Sequence, residues 1–175
     1  MAIRFAVPVI ALVLAMSVNF ADASPAPGTH DLVFSDWAGP QINVRVQVPK
    51  GLDAYTPIVF VMHGASRDMP RYFDDWSAQA DAHGFIAVVP EFTAADFRGS
   101  ARYNLGHVFD PDTGERRDET EWTFSAIEPL FDRIAEWIDS QQQTYMLFGH
   151  SAGSQFVHRF LYYVPDARVS KTILA

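Results

Sequence analysis

The chain of 175 residues contains no cysteine. Thiol nucleophiles, thiolate metal sites and disulfide staples are therefore excluded, and the fold has to be held by its core. Positive charge is scarce as well: 13 Lys and Arg against 21 Asp and Glu give a formal net charge of −8. There is no basic run, so neither nucleic acid nor an anionic lipid surface is an expected partner; both reward clustered Lys and Arg. The His, Asp and Glu positions lack metal-ligand spacing such as His-Glu-x-x-His, and the turn-like Asp110-Pro111-Asp112-Thr113-Gly114 lacks the acidic periodicity of a calcium loop. No metal is expected. Apolar residues are plentiful, at 49% of the chain with 14 Phe, which suits one domain with a large core.

Only one long hydrophobic run occurs, residues 5–18, preceded by Arg4 and followed by Ala21-Asp22-Ala23. It has the layout of a signal peptide over residues 1–23, cleaved after Ala23. The run is shorter than the roughly 20 residues a span needs, and Pro8 interrupts it. A secreted or periplasmic protein with no membrane span after cleavage is expected. Residues 24–29 read as a Pro-containing linker, and residues 30–175 as one domain.

Residues 30–37 and 41–48 read as two strands across a Gly39-Pro40 turn, a hairpin. In the second, Ile42, Val44, Val46 and Val48 alternate with Asn43, Arg45 and Gln47, which buries one face. Residues 58–62, 85–89 and 145–148 are instead continuously apolar, as in parallel strands covered on both faces. Residues 72–83 place Phe73, Trp76 and Ala80 at helical spacing, with Gly84 as a stop. Phe124, Ile127, Phe131, Ile134 and Ile138 outline a second helix; Pro129 either kinks its first turn or moves its start later. A third helix is expected over about residues 152–163, before a last apolar segment from Val169. The alternation predicts an α/β domain: an antiparallel hairpin leading into a mostly parallel sheet flanked by helices. Residues 91–121 interrupt it with a long excursion of the kind that is functional or lid-like.

Gly149-His150-Ser151-Ala152-Gly153 directly follows a buried strand and opens a helix. A Gly-x-Ser-x-Gly match alone says little, but this setting is what a nucleophile elbow requires. Ser151 would sit on a strained turn with its Oγ clear of the sheet, while Gly149 and Gly153 keep Cβ atoms out of the neighbouring strand and helix. The helix N-terminus behind Ser151 brings a positive dipole end and free N–H groups. The Ala152 N–H is one expected oxyanion donor. The other is expected from the loop His63-Gly64-Ala65-Ser66, at Ala65, with Ser66 as runner-up. The bland alternative is a Gly/Ser turn of purely structural use. His63 is expected to shape that loop, His150 to point to the sheet side of the elbow, and His83 to complement a helix C-terminus. Tyr103, Phe109 and Trp122 are candidates for an aromatic substrate wall, with packing of the excursion as the competing explanation.

Residues 61–67, Pro90-Glu91-Phe92 and residues 148–156 resemble the α/β-hydrolase superfamily, and within it the secreted polyhydroxyalkanoate-depolymerase and feruloyl-esterase-like branch. The resemblance covers about residues 31–175. It implies hydrolysis of small or polymeric carboxylic esters through an acyl-enzyme on Ser151, without metal or organic cofactor. A non-catalytic hydrolase-like binding domain, or a peptidase or acyltransferase on the same fold, are the alternatives. In the superfamily an Asp or Glu and then a His follow the serine. Here His158 lies seven residues on along the expected helix, about 10 Å up its axis, and Asp166 sits in the turn before the last strand. The triad acid and histidine are therefore expected to be missing from the chain. Six strands are counted where the resemblance implies about eight. The expectation is a C-terminally incomplete, inactive chain whose last strand has an unpaired edge.

Overall fold

The computed structural model describes residues 25–175. The expected leader, its cleavage point after Ala23 and Ser24 lie outside the described residues. The first elements of the described residues form the hairpin: β1 (Gly28–Phe34) runs antiparallel to β2 (Ile42–Val48), with Gly28 opposite Val48 and Phe34 opposite Ile42. Strand β1 starts inside the segment read as linker. There the Thr29 hydroxyl donates to Gln47 Oε1 at 2.9 Å, extending the ladder with a cross-strand pair. Next come β3 (Ile58–Met62), α1 (Met69–His83), β4 (Ile86–Glu91), α2 (Ile127–Trp137), β5 (Tyr145–Gly149), α3 (Ala152–Tyr163) and β6 (Val169–Leu174).

The sheet order is β1-β2-β4-β3-β5-β6, antiparallel through the first three and parallel from β4 to β6. This is the expected fold class. Its two faces are unequal. In β3 every residue is buried, and the two-residue period sends Ile58, Phe60 and Met62 to the larger apolar cluster, shared with α2, α3 and the hairpin. Val59 and Val61 face a smaller cluster with Met69, Tyr72 and Phe73 of α1.

Helix α1 starts earlier than the apolar spacing alone indicates. The Asp68 carboxylate caps it by accepting the Arg71 N–H at 3.3 Å, and Pro70 lies in its first turn. Gly84 ends it in the left-handed conformation at φ 68°, as expected. Helix α2 resolves the question of Pro129 by starting later. Two 3₁₀ turns, Glu119–Glu121 and Thr123–Ala126, lead into Ile127, which leaves the proline in the first turn where its missing N–H is not needed.

The excursion between β4 and α2 differs from the lid-like expectation. Phe92, Phe97, Tyr103, Val108 and Trp122 are all buried in the main core, so much of the segment is packed structure. Its outlying part is a small hairpin in which Arg117 N–H bonds Val108 O. The Asp110 carboxylate accepts the Asp112 and Thr113 N–H groups at the tip, the turn its composition predicts.

Met62 and Gly149 are register partners at the carboxyl ends of β3 and β5. The loop after β3 and the turn after β5 thus emerge side by side on the rim where open α/β sheets place their ligands. Among the described residues no helix is long and apolar enough to cross a membrane.

Candidate active site

Between β5 and α3 the chain turns within three residues. Ser151 takes φ 55° and ψ −114°, a region that costs a residue with a Cβ roughly 1–3 kcal/mol. The strain comes from how closely α3 approaches the sheet. A Cβ on Gly149 would lie 2.4 Å from the Gly153 carbonyl oxygen, and one on Gly153 would lie 2.1 Å from that of Met62. Only glycine fits either place. The turn is closed by Gly153 N–H to His150 O at 2.9 Å and Gln155 N–H to Ser151 O at 3.1 Å, and the Ser151 N–H donates to Ala175 O beside β6. Ser151 itself is exposed, and among the described residues nothing hydrogen-bonds its hydroxyl.

The loop after β3 rests against this turn. A Cβ on Gly64 would sit 2.9 Å from the Tyr72 hydroxyl and 3.7 Å from the His150 carbonyl oxygen. The N–H groups of Ala65 and Ala152 have no acceptor among the described residues. Ala65 is exposed, and Ala152 opens α3, where first-turn N–H groups are free by construction. These are donors waiting for an acceptor beside an exposed serine.

Beneath the loop lies a buried network. His63 is fully buried, and its Nε2 accepts the Phe92 N–H at 3.1 Å. Its proton therefore belongs on Nδ1, which donates to Gly64 O at 3.2 Å. Burial pushes its pKa down to about 4, so the ring is neutral. The Tyr103 hydroxyl donates to His63 O at 2.5 Å. Arg67, held at φ 59°, donates to Phe92 O (2.7 Å), Phe97 O (3.2 Å) and Gly99 O (3.0 Å), and its guanidinium lies 3.9 Å from the centre of the Tyr103 ring. His63 thus shapes the loop, as expected, and Arg67 straps the excursion to it.

No family model and no curated protein matches the chain. Among solved structures, poly(aspartic acid) hydrolase-1 from Sphingomonas sp. KT-1 superposes with a TM-score of 0.81 at 41% identity, over 85% of this chain and 56% of that one. A poly(3-hydroxybutyrate) depolymerase from Bordetella parapertussis gives 0.78 at 29% identity, over 85% and 52%. An acetyl xylan esterase from Aspergillus awamori gives 0.63 at 13%, over 83% and 51%. The fold is that of the α/β hydrolases. The chain spans about half the length of these structures.

Within this α/β-hydrolase fold, several expected site residues are placed differently. His150 does not turn to the sheet: its Nδ1 meets the Tyr72 hydroxyl of α1 at 2.6 Å, because that hydroxyl stands between the elbow and Gly64. The three aromatic residues do not assemble a substrate wall. The Tyr103 ring is fully buried beneath Arg67. Trp122, 1% exposed, and Phe109, 47% exposed, both pack on Tyr163. Tyr163 closes the 12-residue α3, about 17 Å along its axis from the elbow. The competing explanation, packing of the excursion onto the domain, accounts for Tyr103 and Trp122. His158 is exposed on α3 and His83 lies in the last turn of α1.

Proposed function

We propose that the chain is the nucleophile-bearing part of an exported α/β-hydrolase-fold enzyme that cleaves carboxylic esters through an acyl-enzyme on Ser151. The observation that carries this reading is the elbow: an exposed serine on a strained turn, at the carboxyl rim, in front of a helix N-terminus. Ser151 Oγ attacks the ester carbonyl carbon, and the N–H groups of Ala152 and Ala65 donate hydrogen bonds to the carbonyl oxygen as negative charge develops on it. Collapse of that adduct breaks the acyl–oxygen bond, the departing alcohol takes a proton from the general acid, and water then releases the acyl group. The histidine that relays these protons and the carboxylate that orients it are residues outside those described. His63 is unsuited to the task, being buried with Nε2 occupied by the Phe92 N–H. The polymers named for the two most similar solved structures given above, one joined by carboxamide and one by ester bonds, support a carboxylic acyl substrate.

A fluorophosphonate probe applied to the exported protein tests the nucleophile. Labelling is expected for the wild type and lost in Ser151→Ala; labelling that survives the substitution rules the assignment out. Export is tested by the mass of the protein recovered outside the cytoplasm, expected to begin at Ser24.

A further inference from the structure

The loop after β3 and the elbow are carried by helices that pack in different apolar clusters. The loop runs into α1, whose Met69, Tyr72 and Phe73 lie in the smaller cluster. The elbow runs into α3, whose Phe156, Val157 and Phe160 lie in the larger one. Strand pairing joins the two as far as Met62 and Gly149, and the next backbone bond, His150 N–H to Met62 O, is long at 3.4 Å. Beyond that point the Ala65 and Ala152 N–H groups ride on separate layers. They can serve one oxygen atom only if the gap between those layers is fixed. The close approach of Gly153 to the Met62 carbonyl stops the layers from moving nearer, but a steric contact does not stop them from parting.

One side chain crosses between them. The Tyr72 hydroxyl, at the start of α1, donates to His150 Nδ1 at 2.6 Å. Among the described residues this is the one side-chain hydrogen bond that joins the loop and α1 to the elbow and α3. The hydroxyl also lies directly against the loop, since a Cβ on Gly64 would sit 2.9 Å from it and 3.7 Å from His150 Nδ1. Gly64 O in turn accepts the Arg67 N–H at 3.1 Å, which closes the turn Gly64-Ala65-Ser66-Arg67. Ala65 is the second residue of that turn, a position whose N–H has no partner within it. The Tyr72 ring is buried beside His63, with the ring centres 6.4 Å apart, so its hydroxyl projects from a fixed base.

We propose that the bond between Tyr72 and His150 is a latch that sets the distance between the two oxyanion donors, with both side chains as positioning residues for the reaction at Ser151. The inference rests on Ser151 as the nucleophile and on Ala65 and Ala152 as the donors. Neither Tyr72 nor His150 touches the substrate in this role. Gly153 limits how near the two layers come, and the latch limits how far apart they move. The bond is directional, and misplacing a donor by about 1 Å is enough to cost on the order of 100-fold in rate.

The test uses two readouts on the exported protein: the rate of fluorophosphonate labelling, split into the maximal rate and the probe concentration that half-saturates it, and hydrogen exchange of the Arg67 amide, which closes the turn at Ala65. Tyr72→Phe keeps the ring and removes the hydroxyl. It should lower the maximal labelling rate about tenfold with the half-saturating concentration unchanged, and speed Arg67 exchange about fivefold, the scale of one hydrogen bond. His150→Leu should do the same. His150→Asn, whose amide oxygen can accept the hydroxyl in place of Nδ1, should recover part of the rate. The double variant Tyr72→Phe with His150→Leu should lose no more than either single one, because a single bond is removed in all three. A wild-type maximal rate in Tyr72→Phe, a loss confined to half-saturation, or losses that multiply in the double variant would overturn the proposal. Failure of the nucleophile reading looks different: Ser151→Ala still labels, or the wild type does not. In that case Arg67 exchange alone decides the latch, which stands if both single variants speed it equally and falls if neither does.

Discussion

The elbow and the excursion of residues 92–121 both adjoin the loop after β3 and are held there by opposite means. The elbow is fixed by steric exclusion over five consecutive residues: Gly149 and Gly153 let backbone approach backbone, and Ser151 absorbs the strain. The excursion is fixed by polar strapping over long separations. Arg67 reaches carbonyls 25, 30 and 32 residues away, and the Tyr103 hydroxyl reaches His63 O across 40. One region keeps its geometry by leaving no room, the other by hydrogen bonds that span long stretches of chain. Damage to the first should be abrupt, and damage to the second graded.

The largest effect is expected from Gly153→Ala. Its methyl would meet the Met62 carbonyl oxygen at 2.1 Å, backbone that cannot rotate away. A loss of about 3 kcal/mol or more, read from the urea midpoint, is predicted. Recovery of wild-type stability would mean that the close approach is not the constraint described. Next comes the titration of His63. Its pKa falls from the ordinary 6.5 to about 4 in the folded state, so the unfolded chain binds the proton first. The stability that the neutral buried ring contributes is complete above pH 6.5 and drains away as pH drops towards 4, by as much as about 3 kcal/mol. His63→Gln should flatten that part of the pH profile; an unaltered slope would assign the dependence to other groups.

Arg67→Met should cost about 2 kcal/mol by leaving the carbonyls of Phe92, Phe97 and Gly99 without their donor. It should also open residues 97–104 to limited proteolysis while the elbow persists. Cleavage that starts at the elbow would reverse the distinction drawn between the two regions. The smallest effect has the opposite sign. Ser151→Gly relieves φ 55° and ψ −114° and should stabilise the fold by about 1 kcal/mol relative to Ser151→Ala. A glycine variant no more stable than the alanine one would show that the turn carries no strain.

The contrast also explains what the sequence disclosed. The sheet, its hairpin and α3 were legible because burial imposes a period of two or of continuous apolarity on strands, and because Gly-x-Ser-x-Gly follows such a run. Pro129 marked an adjustment without saying which, and the free N–H at a helix start decided it. The Asp68 cap and Pro70 were visible signals that the apolar spacing from Tyr72 overshadowed. Tyr72 on His150 was different in kind. Those residues are 78 apart, and nothing local in either announces the other. Arg67 likewise shows only as a charge in a loop until the excursion folds over it. Tyr103 and Trp122 looked like a cleft lining because a long loop with aromatics resembles one; their burial follows from contacts that only the folded chain makes.

The bond from the Phe92 N–H to His63 Nε2 has a further consequence for motion. Hydrogen exchange at the Phe92 amide requires that the imidazole let go, and the same imidazole holds Gly64 while its carbonyl holds Tyr103. The loop after β3 and the start of the excursion therefore open as one cooperative unit. Any opening of residues 97–104 therefore also loosens the turn at Gly64 and Ala65, through a single neutral ring.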